Sequence, residues 1–340
     1  MARKADLRPS PLSATLSPDL LTLQSSFHVN YLPDILRTFK GLLEAGEIEE
    51  FEVENTIKPA VQLDGQLARE NSRLILLEAA RRAAFKSNNL YFSAAESLTP
   101  INSESLATFH QQTLERASQQ YSLLLSVNDS KLISIKEFSD TVSSCGIPIQ
   151  SISGVTSNQL INSSESLGIN LESNYSKFNE FMLAFPVPEG GFNQKNSDMT
   201  LILESLLKRA FPSTEASVTS DTSLLTIYFK FDSKMPAAEI KSKMQEAVKE
   251  LTAFPQKVKD EDITRAQERA KFNQALAIDS RDNRLLLFAH RFAFTGNVQS
   301  RFVPVKAEEL RESLKQILGS KPILVGRGNY KKLINYNELF

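Results

Sequence analysis

The feature of this sequence that most constrains its fold is an internal duplication. Four short matches occur in the same order in both halves, at separations of 201 to 211 residues. They are residues 20–23 with 224–227, 73–76 with 284–287, 100–106 with 304–310, and 131–133 with 332–334. The clearest is Leu20-Leu21-Thr22-Leu23 against Leu224-Leu225-Thr226-Ile227. Because the order is collinear, we predict two copies of one structural unit in tandem.

Length and composition agree with two folded units. The chain has 340 residues, whereas a single hydrophobic core stops growing at about 250–300 residues. Hydrophobic residues make up 41% of the chain and charged residues 23%, which is enough to build a sizeable core.

Each copy shows the same succession of hydrophobic patterns. A β-rich segment at 20–29 or 224–232 comes first and is followed by an amphipathic helix, 237–251 in the second copy. Further helices are predicted at 53–68, 73–85 and 103–118, and at 263–278, 283–294 and 307–318. A short strand closes each copy, at 122–127 and 322–325. The predicted class is α+β: two homologous domains, each a mostly antiparallel sheet with helices on one face.

A serine-rich segment separates the copies. Residues 143–176 contain 10 serines in 34 positions, which is typical of a connector. We therefore predict an N-terminal domain at 1–142, a linker at 143–176 and a C-terminal domain at 177–340. The linker could include the first strand of the second sheet, with 146–152 as the candidate.

The second copy opens with a segment that has no counterpart in the first. Residues 179–186 are predicted to form a strand, and 198–211 a helix with Asp198 as its N-cap. The corresponding positions of the first copy would precede Met1. We therefore expect the first domain to be incomplete at its N-terminus, with 1–7 as the end of a helix. A targeting peptide is the alternative, because Arg3, Lys4 and Arg8 are basic, although Asp6 argues against it.

Charge and cysteine content exclude several classes of function. The 39 Lys and Arg residues nearly balance the 40 Asp and Glu residues, so no basic field for nucleic acid is expected. Cys145 is the only cysteine and cannot form an internal disulfide; a buried structural role is favoured. No apolar run approaches the ~18 residues that a membrane-spanning helix needs.

The residues that carry catalysis in common enzymes occur singly in this sequence. His28, His110 and His290 form neither a His-Glu-x-x-His nor a His-x-x-Glu-His pair, so each is expected to be structural. No Gly-x-Ser-x-Gly elbow or phosphate-binding glycine motif is present. We predict no catalytic, cofactor-binding or metal-binding residue. The run of six Glu at 44–54 is expected to be solvated, with a docking surface as the alternative.

The C-terminal sequence carries a family resemblance. The stretch Lys321-Pro322-Ile323-Leu324-Val325-Gly326, followed by 333–339, resembles the pitrilysin-type (inverted zincin) peptidase-like family. Within that family it is most similar to the core protein 2 family of mitochondrial ubiquinol-cytochrome c reductase, respiratory complex III, of yeast-like fungi. Residues 20–23, 58–60 and 101–109 extend the resemblance over nearly the whole chain.

The resemblance implies a non-catalytic structural or assembly subunit of complex III without cofactors. It would lie on the matrix side of the mitochondrial inner membrane, peripheral and without a transmembrane helix of its own. Its partners would be core protein 1, cytochrome b and the other subunits of the dimeric complex. The alternative is a subunit of a mitochondrial processing peptidase or another zinc metallopeptidase of this fold. The absence of glycine from 211–215, where the resemblance places a glycine-rich loop in the processing peptidase, argues against that alternative.

Overall fold

The computed structural model describes a defined part of the chain, in two compact units. The described residues are 12–16, 21–43, 48–84, 101–109, 112, 131–147, 168–172, 177–187, 194–210, 216–220, 224–279, 284–285, 287–288 and 302–340. Unit 1 comprises Met1–Asp64, Ser93–Val155 and Arg281–Gln299, and unit 2 comprises Gly65–Phe92, Thr156–Ser280 and Ser300–Phe340. The matching segments around Arg73 and Arg284 therefore each belong to the unit built mainly from the other half of the sequence.

Unit 1 begins with a hairpin and a helix. Strands β1 (Ser13–Leu16) and β2 (Leu21–Gln24) pair antiparallel. A 3₁₀ turn at Val29–Tyr31 leads into α1 (Leu32–Leu43). The strand predicted over 20–29 is therefore shorter than expected, because the four residues of β1 provide partners only as far as Gln24.

The remaining described elements of the first half are helical. A short turn at Glu50–Glu52 and a π-helical stretch at Val53–Ile57 lead directly into α2. The helices are α2 (Lys58–Glu70), α3 (Ser72–Ala84), α4 (Ser103–Phe109) and α5 (Ile135–Ser144). A small core in unit 1 joins α1 to α5; it consists of Leu32, Leu36, Val142, Cys145 and Ile147.

Unit 2 is built on a five-stranded sheet. Its strands are β3 (Gly168–Glu172), β4 (Phe178–Pro186), β5 (Ala216–Ser220), β6 (Leu224–Asp232) and β7 (Ile323–Gly328). Their order is β3-β7-β4-β6-β5, and only the β3–β7 pair is parallel. The prediction of a mostly antiparallel sheet is confirmed. The first described strand of this sheet, β3, lies near the end of the serine-rich segment, and most of the candidate strand at 146–152 lies outside the described residues.

Four helices of the second half cover one face of this sheet. They are α6 (Gln194–Ala210), α7 (Ala237–Lys257), α8 (Asp260–Asp279) and α9 (Ala307–Gly319). Alternate strand residues point into this core, including Phe181 and Leu183 of β4 and Ile227 of β6. This alternation is what a strand covered on its faces by helices requires. The predicted packing of the copy's own helices on one face is confirmed.

The opposite face of the sheet is covered by α3, a helix that the sequence interpretation assigned to the first domain. Its alanines Ala79, Ala80, Ala83 and Ala84 and its Leu76 pack against β4, β6 and β7. Small side chains allow the helix backbone to approach the sheet closely. The prediction of helices on one face only is therefore incomplete for this sheet, because a helix distant in sequence supplies the other layer.

The two halves repeat one another in backbone detail. In the β1–β2 hairpin Thr15 is opposite Thr22, and in the β5–β6 hairpin Thr219 is opposite Thr226. All four residue pairs of the first hairpin recur 204 positions later with the same register. Because register determines which side chains share a face, this identity supports the duplication that the sequence predicts.

Some predicted features lie outside the described residues or differ from the structure. Asp198 is not an N-cap, because α6 begins four residues earlier at Gln194 and places Asp198 inside the helix. The predicted helix end at 1–7, the strand at 122–127 and most of the helix at 283–294 lie outside the described residues. The domain boundaries 1–142, 143–176 and 177–340 remain predictions.

Candidate functional site: a buried polar cluster beside helix α3

His28 is the one candidate histidine that the described residues contain, and it has a structural position. Its Nδ1 accepts a hydrogen bond from the backbone N–H of Asn30 at 3.4 Å, at the start of the 3₁₀ turn. At the matching position Asp232 accepts from the N–H of Lys234 at 2.7 Å. The side chain of His28 therefore closes the turn that leads from strand to helix. His110 and His290 lie outside the described residues.

Cys145 is buried at the end of α5, in the small core of unit 1. Its Sγ lies 3.7 Å from the backbone oxygen of Pro33. The prediction that Cys145 is buried is confirmed, and its structural role stays a prediction.

The most concentrated polar chemistry among the described residues lies on the α3 face of the sheet in unit 2. Glu180 of β4 is directly opposite Arg327 of β7, so their side chains leave the same face. Tyr228 of β6 donates its hydroxyl hydrogen to Oε1 of Glu180. Three neighbouring strands thus each supply one polar side chain to a single cluster.

The N-terminus of α3 completes this cluster. The guanidinium of Arg327 donates to Oγ of Ser72, the first residue of the helix. The guanidinium carbon of Arg73 lies 5.9 Å from the centre of the Tyr228 ring, within cation–π range. These contacts hold one end of α3, whereas alanines hold the rest. The polar residues therefore specify where along the sheet the helix begins.

The electrostatics of the cluster centre on Glu180, which is 3% exposed. Its Oε2 is buried and has no hydrogen-bond partner among the described residues. Burial, reinforced by the adjacent Glu180 carboxylate, raises the pKa of the Tyr228 hydroxyl well above its usual range. Arg73 and Arg327 act in the opposite direction. At neutral pH Tyr228 therefore keeps its proton and remains the donor to Glu180.

This arrangement is suited to fixing the N-terminus of α3 on strands β4, β6 and β7. Its hydroxyl, its guanidinium groups and Oε1 of Glu180 are each directed at another group of the same cluster or at α3. In the part of the chain that the structure describes, no group of three or more His, Cys, Asp or Glu residues is placed to hold a metal ion. Among the same residues, no helix is both long and apolar enough to cross a membrane.

A second buried polar group joins helices of unit 2. Asp198 of α6 accepts hydrogen bonds from Nε2 of Gln274 at 3.1 Å and from the backbone N–H of Val303 at 2.9 Å. Both Asp198 and Gln274 are buried. The residue predicted as a helix cap therefore links α6 to α8 and to the segment before α9.

Sequence analysis did not identify the Glu180 cluster. Glu180 is the only charged residue in the mainly apolar strand β4, and such a residue was a signal worth following because an isolated buried charge is costly. Its partners are 48 and 147 residues away along the chain, and no local pattern indicates them.

The chain is similar to known proteins in sequence and in fold. No protein-family model matches the chain. Among curated proteins it is 24% identical to the mitochondrial cytochrome b-c1 complex subunit 2 of Yarrowia lipolytica, over 99% of this chain and 82% of that protein. This relative confirms the resemblance to core protein 2.

Solved structures with the same fold include a chain of a respiratory complex, a protease and a conserved protein. A chain of complex III2 from Candida albicans aligns over 96% of this chain and 84% of its own length, with a TM-score of 0.62 and 12% identity. A protease from Helicobacter pylori aligns over 96% and 84%, with a TM-score of 0.68 and 10% identity. A conserved protein from Enterococcus faecalis aligns over 98% and 85%, with a TM-score of 0.64 and 13% identity. At these identities the matches establish the fold.

Proposed function

We propose that this chain is a non-catalytic structural subunit of the mitochondrial ubiquinol-cytochrome c reductase complex, in the position of core protein 2. The observation that carries the proposal is the similarity to the Yarrowia subunit, which spans nearly the whole of this chain and most of the relative. A match confined to one motif would support a shared fold element, whereas collinearity over both copies supports a shared place in an assembly.

The internal chemistry of unit 2 is consistent with such a role. The Glu180, Tyr228 and Arg327 side chains are used to fix α3 on the sheet, and Asp198 joins helices. Buried polar groups that are hydrogen-bonded to one another can give a fold specificity, and the hydrogen bonds of these side chains run to other parts of the same unit. The proposed partners are core protein 1 and cytochrome b within a dimeric complex. The proposed location is the matrix side of the inner membrane.

A zinc peptidase or processing-peptidase subunit is the second candidate. The observation in its favour is the shared fold with the Helicobacter protease, at a TM-score of 0.68. Fold likeness at 10% identity does not carry an activity, because one fold hosts many functions.

Complementation tests the first proposal. The full chain, fused to a mitochondrial import signal and an affinity tag, would be expressed in Yarrowia lipolytica that lacks its own subunit 2. We expect it to co-purify from detergent-solubilised mitochondria with cytochrome b and core protein 1, and to restore ubiquinol-dependent reduction of cytochrome c. The matched control is the same fusion carrying Phe181→Asp, which places a charge in the buried core of unit 2.

Recovery of the wild-type chain from mitochondria without cytochrome b would contradict the assignment. The second candidate is tested separately with the purified full chain, zinc and an unstructured basic peptide. Under the first proposal we expect no peptide cleavage above that of a boiled sample. Cleavage that a chelator abolishes, and that zinc restores, would instead support the peptidase.

A further inference from the structure

A group of lysines lies at one end of the three central strands of the sheet in unit 2, where β4 begins and where β6 and β7 end. We call it the lysine edge and define it as Lys177, Lys230, Lys234, Lys331 and Lys332. The backbone oxygen of Lys177 accepts a hydrogen bond from Ser233, next to Lys234. Neighbouring strands lie ~4.8 Å apart, so the ends of these three strands span about 10 Å. The five lysines therefore lie close together along the backbone at this end of the sheet.

The ammonium groups of this edge are largely uncommitted. Lys177, Lys230, Lys234 and Lys331 are exposed, and none forms a salt bridge to a carboxylate in the described part of the chain. Lys230 lies 3.8 Å from the centre of the Phe178 ring. Lys332 donates to the backbone oxygens of Ser233 and Met235. Among the described residues, these contacts supply no carboxylate counterion to the four exposed lysines.

The described acidic residues at these strand ends are Asp232 and Glu180, and both accept hydrogen bonds. Asp232 uses its carboxylate to accept from the backbone N–H of Lys234. Glu180 lies directly opposite Lys230 in the β4–β6 pairing, but it is buried, and its Oε1 accepts from Tyr228. The chain as a whole carries a net charge of −1, so the positive field of this edge is local to it. A partner attracted by charge would therefore bind in one orientation.

The type of cation indicates the type of partner. Lysine is a point charge on a flexible stem, whereas arginine is the residue suited to bidentate recognition of a particular carboxylate. The exposed cations of this edge are all lysines, and the nearby Arg327 is directed instead at Ser72. Flexible point charges around a half-buried aromatic ring fit a surface of many loosely placed anions. Clustered lysines of this kind are attracted to anionic lipid headgroups.

We infer that the lysine edge binds an anionic membrane surface. This inference goes beyond the proposed function, because it assigns a lipid contact to this chain itself, independent of any partner subunit. Each lysine near an anionic surface contributes about 1 kcal/mol, which corresponds to about fivefold in the partition coefficient at low salt. The attraction falls as salt shortens the Debye length.

The test is co-sedimentation of the purified full chain with two kinds of vesicle, one of phosphatidylcholine alone and one of phosphatidylcholine with cardiolipin. We expect binding to the cardiolipin vesicles, weakening as salt rises. Lys234→Gln with Lys331→Gln removes two exposed charges while keeping the Lys230–Phe178 and Lys332 contacts. The expected loss is about 25-fold in the partition coefficient.

The matched control is Lys249→Gln with Lys315→Gln. These lysines are exposed on α7 and α9, away from the strand ends that form the edge. We expect less than a twofold change in this control, and unchanged melting temperatures in both double variants. Equal losses in the two double variants would show that total charge, not the edge, is responsible. Binding to soluble poly-glutamate but not to cardiolipin vesicles would overturn the lipid assignment in favour of an acidic protein partner.

Discussion

The β1–β2 hairpin of unit 1 and the β5–β6 hairpin of unit 2 have the same pairing in different surroundings. Both have the same register over four pairs, and both are followed by a side chain that accepts from the N–H two residues on. In unit 2, however, Ile227 is fully buried beneath helices. Its counterpart Leu23 is only half-buried in the described structure.

The difference separates two levels of structure. Hydrogen-bond register and turn closure depend on residues within about ten positions, and these have been retained in both copies. Burial depends on elements that arrive from elsewhere in the chain, and here the copies differ. Substitutions at matched positions in the two copies therefore measure local pairing and tertiary burial separately.

The largest effect is expected from Ile227→Ala. Truncating a fully buried isoleucine removes transfer free energy and leaves a cavity, at a cost of about 2–5 kcal/mol. Leu23→Ala, at the matching position, should cost about 1 kcal/mol or less because its side chain is half-buried. Native-state hydrogen exchange would report each hairpin separately, which is needed because a chain with two units need not unfold in one step. An equal loss of stability at both positions would show that Ile227 and Leu23 are buried to the same extent.

The elements of the second copy could be predicted closely from the sequence because each has a strong local signal. The strand predicted over 224–232 is β6 with the same bounds, and the helix predicted from 237 begins there and runs on to Lys257. Alternation in the strand and the 3.6-residue stripe in the helix are both visible in short windows. The β1–β2 pairing was less accessible, because four-residue strands carry little periodicity.

The remaining structure could not be predicted because it depends on distant partners. The alanines of α3 indicate a close approach, but no local pattern indicates that the surface approached is a sheet whose first described strand begins at Gly168, more than 80 residues later. Asp198 has the residue type of a helix cap, and its true partner Gln274 is 76 positions away. Glu180 is understood only once β6 and β7 lie beside it.

An intermediate effect is expected at the next pair of matched positions, Tyr228 and Gln24. Tyr228→Phe removes the donor to the buried carboxylate of Glu180, and hydrogen bonds to charged groups are worth about 1.5–3 kcal/mol. Gln24→Leu should keep stability or raise it by about 1 kcal/mol, because Oε1 of Gln24 is buried without a partner in the described structure and its removal relieves a desolvation cost. Chemical denaturation, followed by the circular dichroism of the backbone, would measure the change in stability of both variants. A neutral Tyr228→Phe would mean that the Glu180 cluster does not fasten the sheet.

A smaller effect is expected from exchanging the two turn-closing side chains. Asp232 accepts at 2.7 Å and His28 at 3.4 Å, and a carboxylate is the better acceptor for a backbone N–H. Asp232→His should therefore lose, and His28→Asp should gain, about 0.5–1 kcal/mol of local stability. Exchange protection of the Lys234 and Asn30 amides is the direct readout. Changes of the same sign at both positions would contradict the equivalence of the two turns.

The smallest effect is the dependence of the Tyr228 contribution on alkaline pH. The folded-state pKa of Tyr228 is raised, so above about pH 10 the unfolded chain releases a proton that the folded chain keeps, and the stabilising contribution falls. The stability difference between the wild type and Tyr228→Phe should therefore be constant near pH 8 and shrink toward pH ~11. We expect a decline of less than about 1 kcal/mol, because the half-exposed ring is screened by solvent. Gln24→Leu alters a position where the first copy has no titrating group, so its difference from the wild type should stay flat over the same range. A parallel decline in both variants would place the titration elsewhere in the chain.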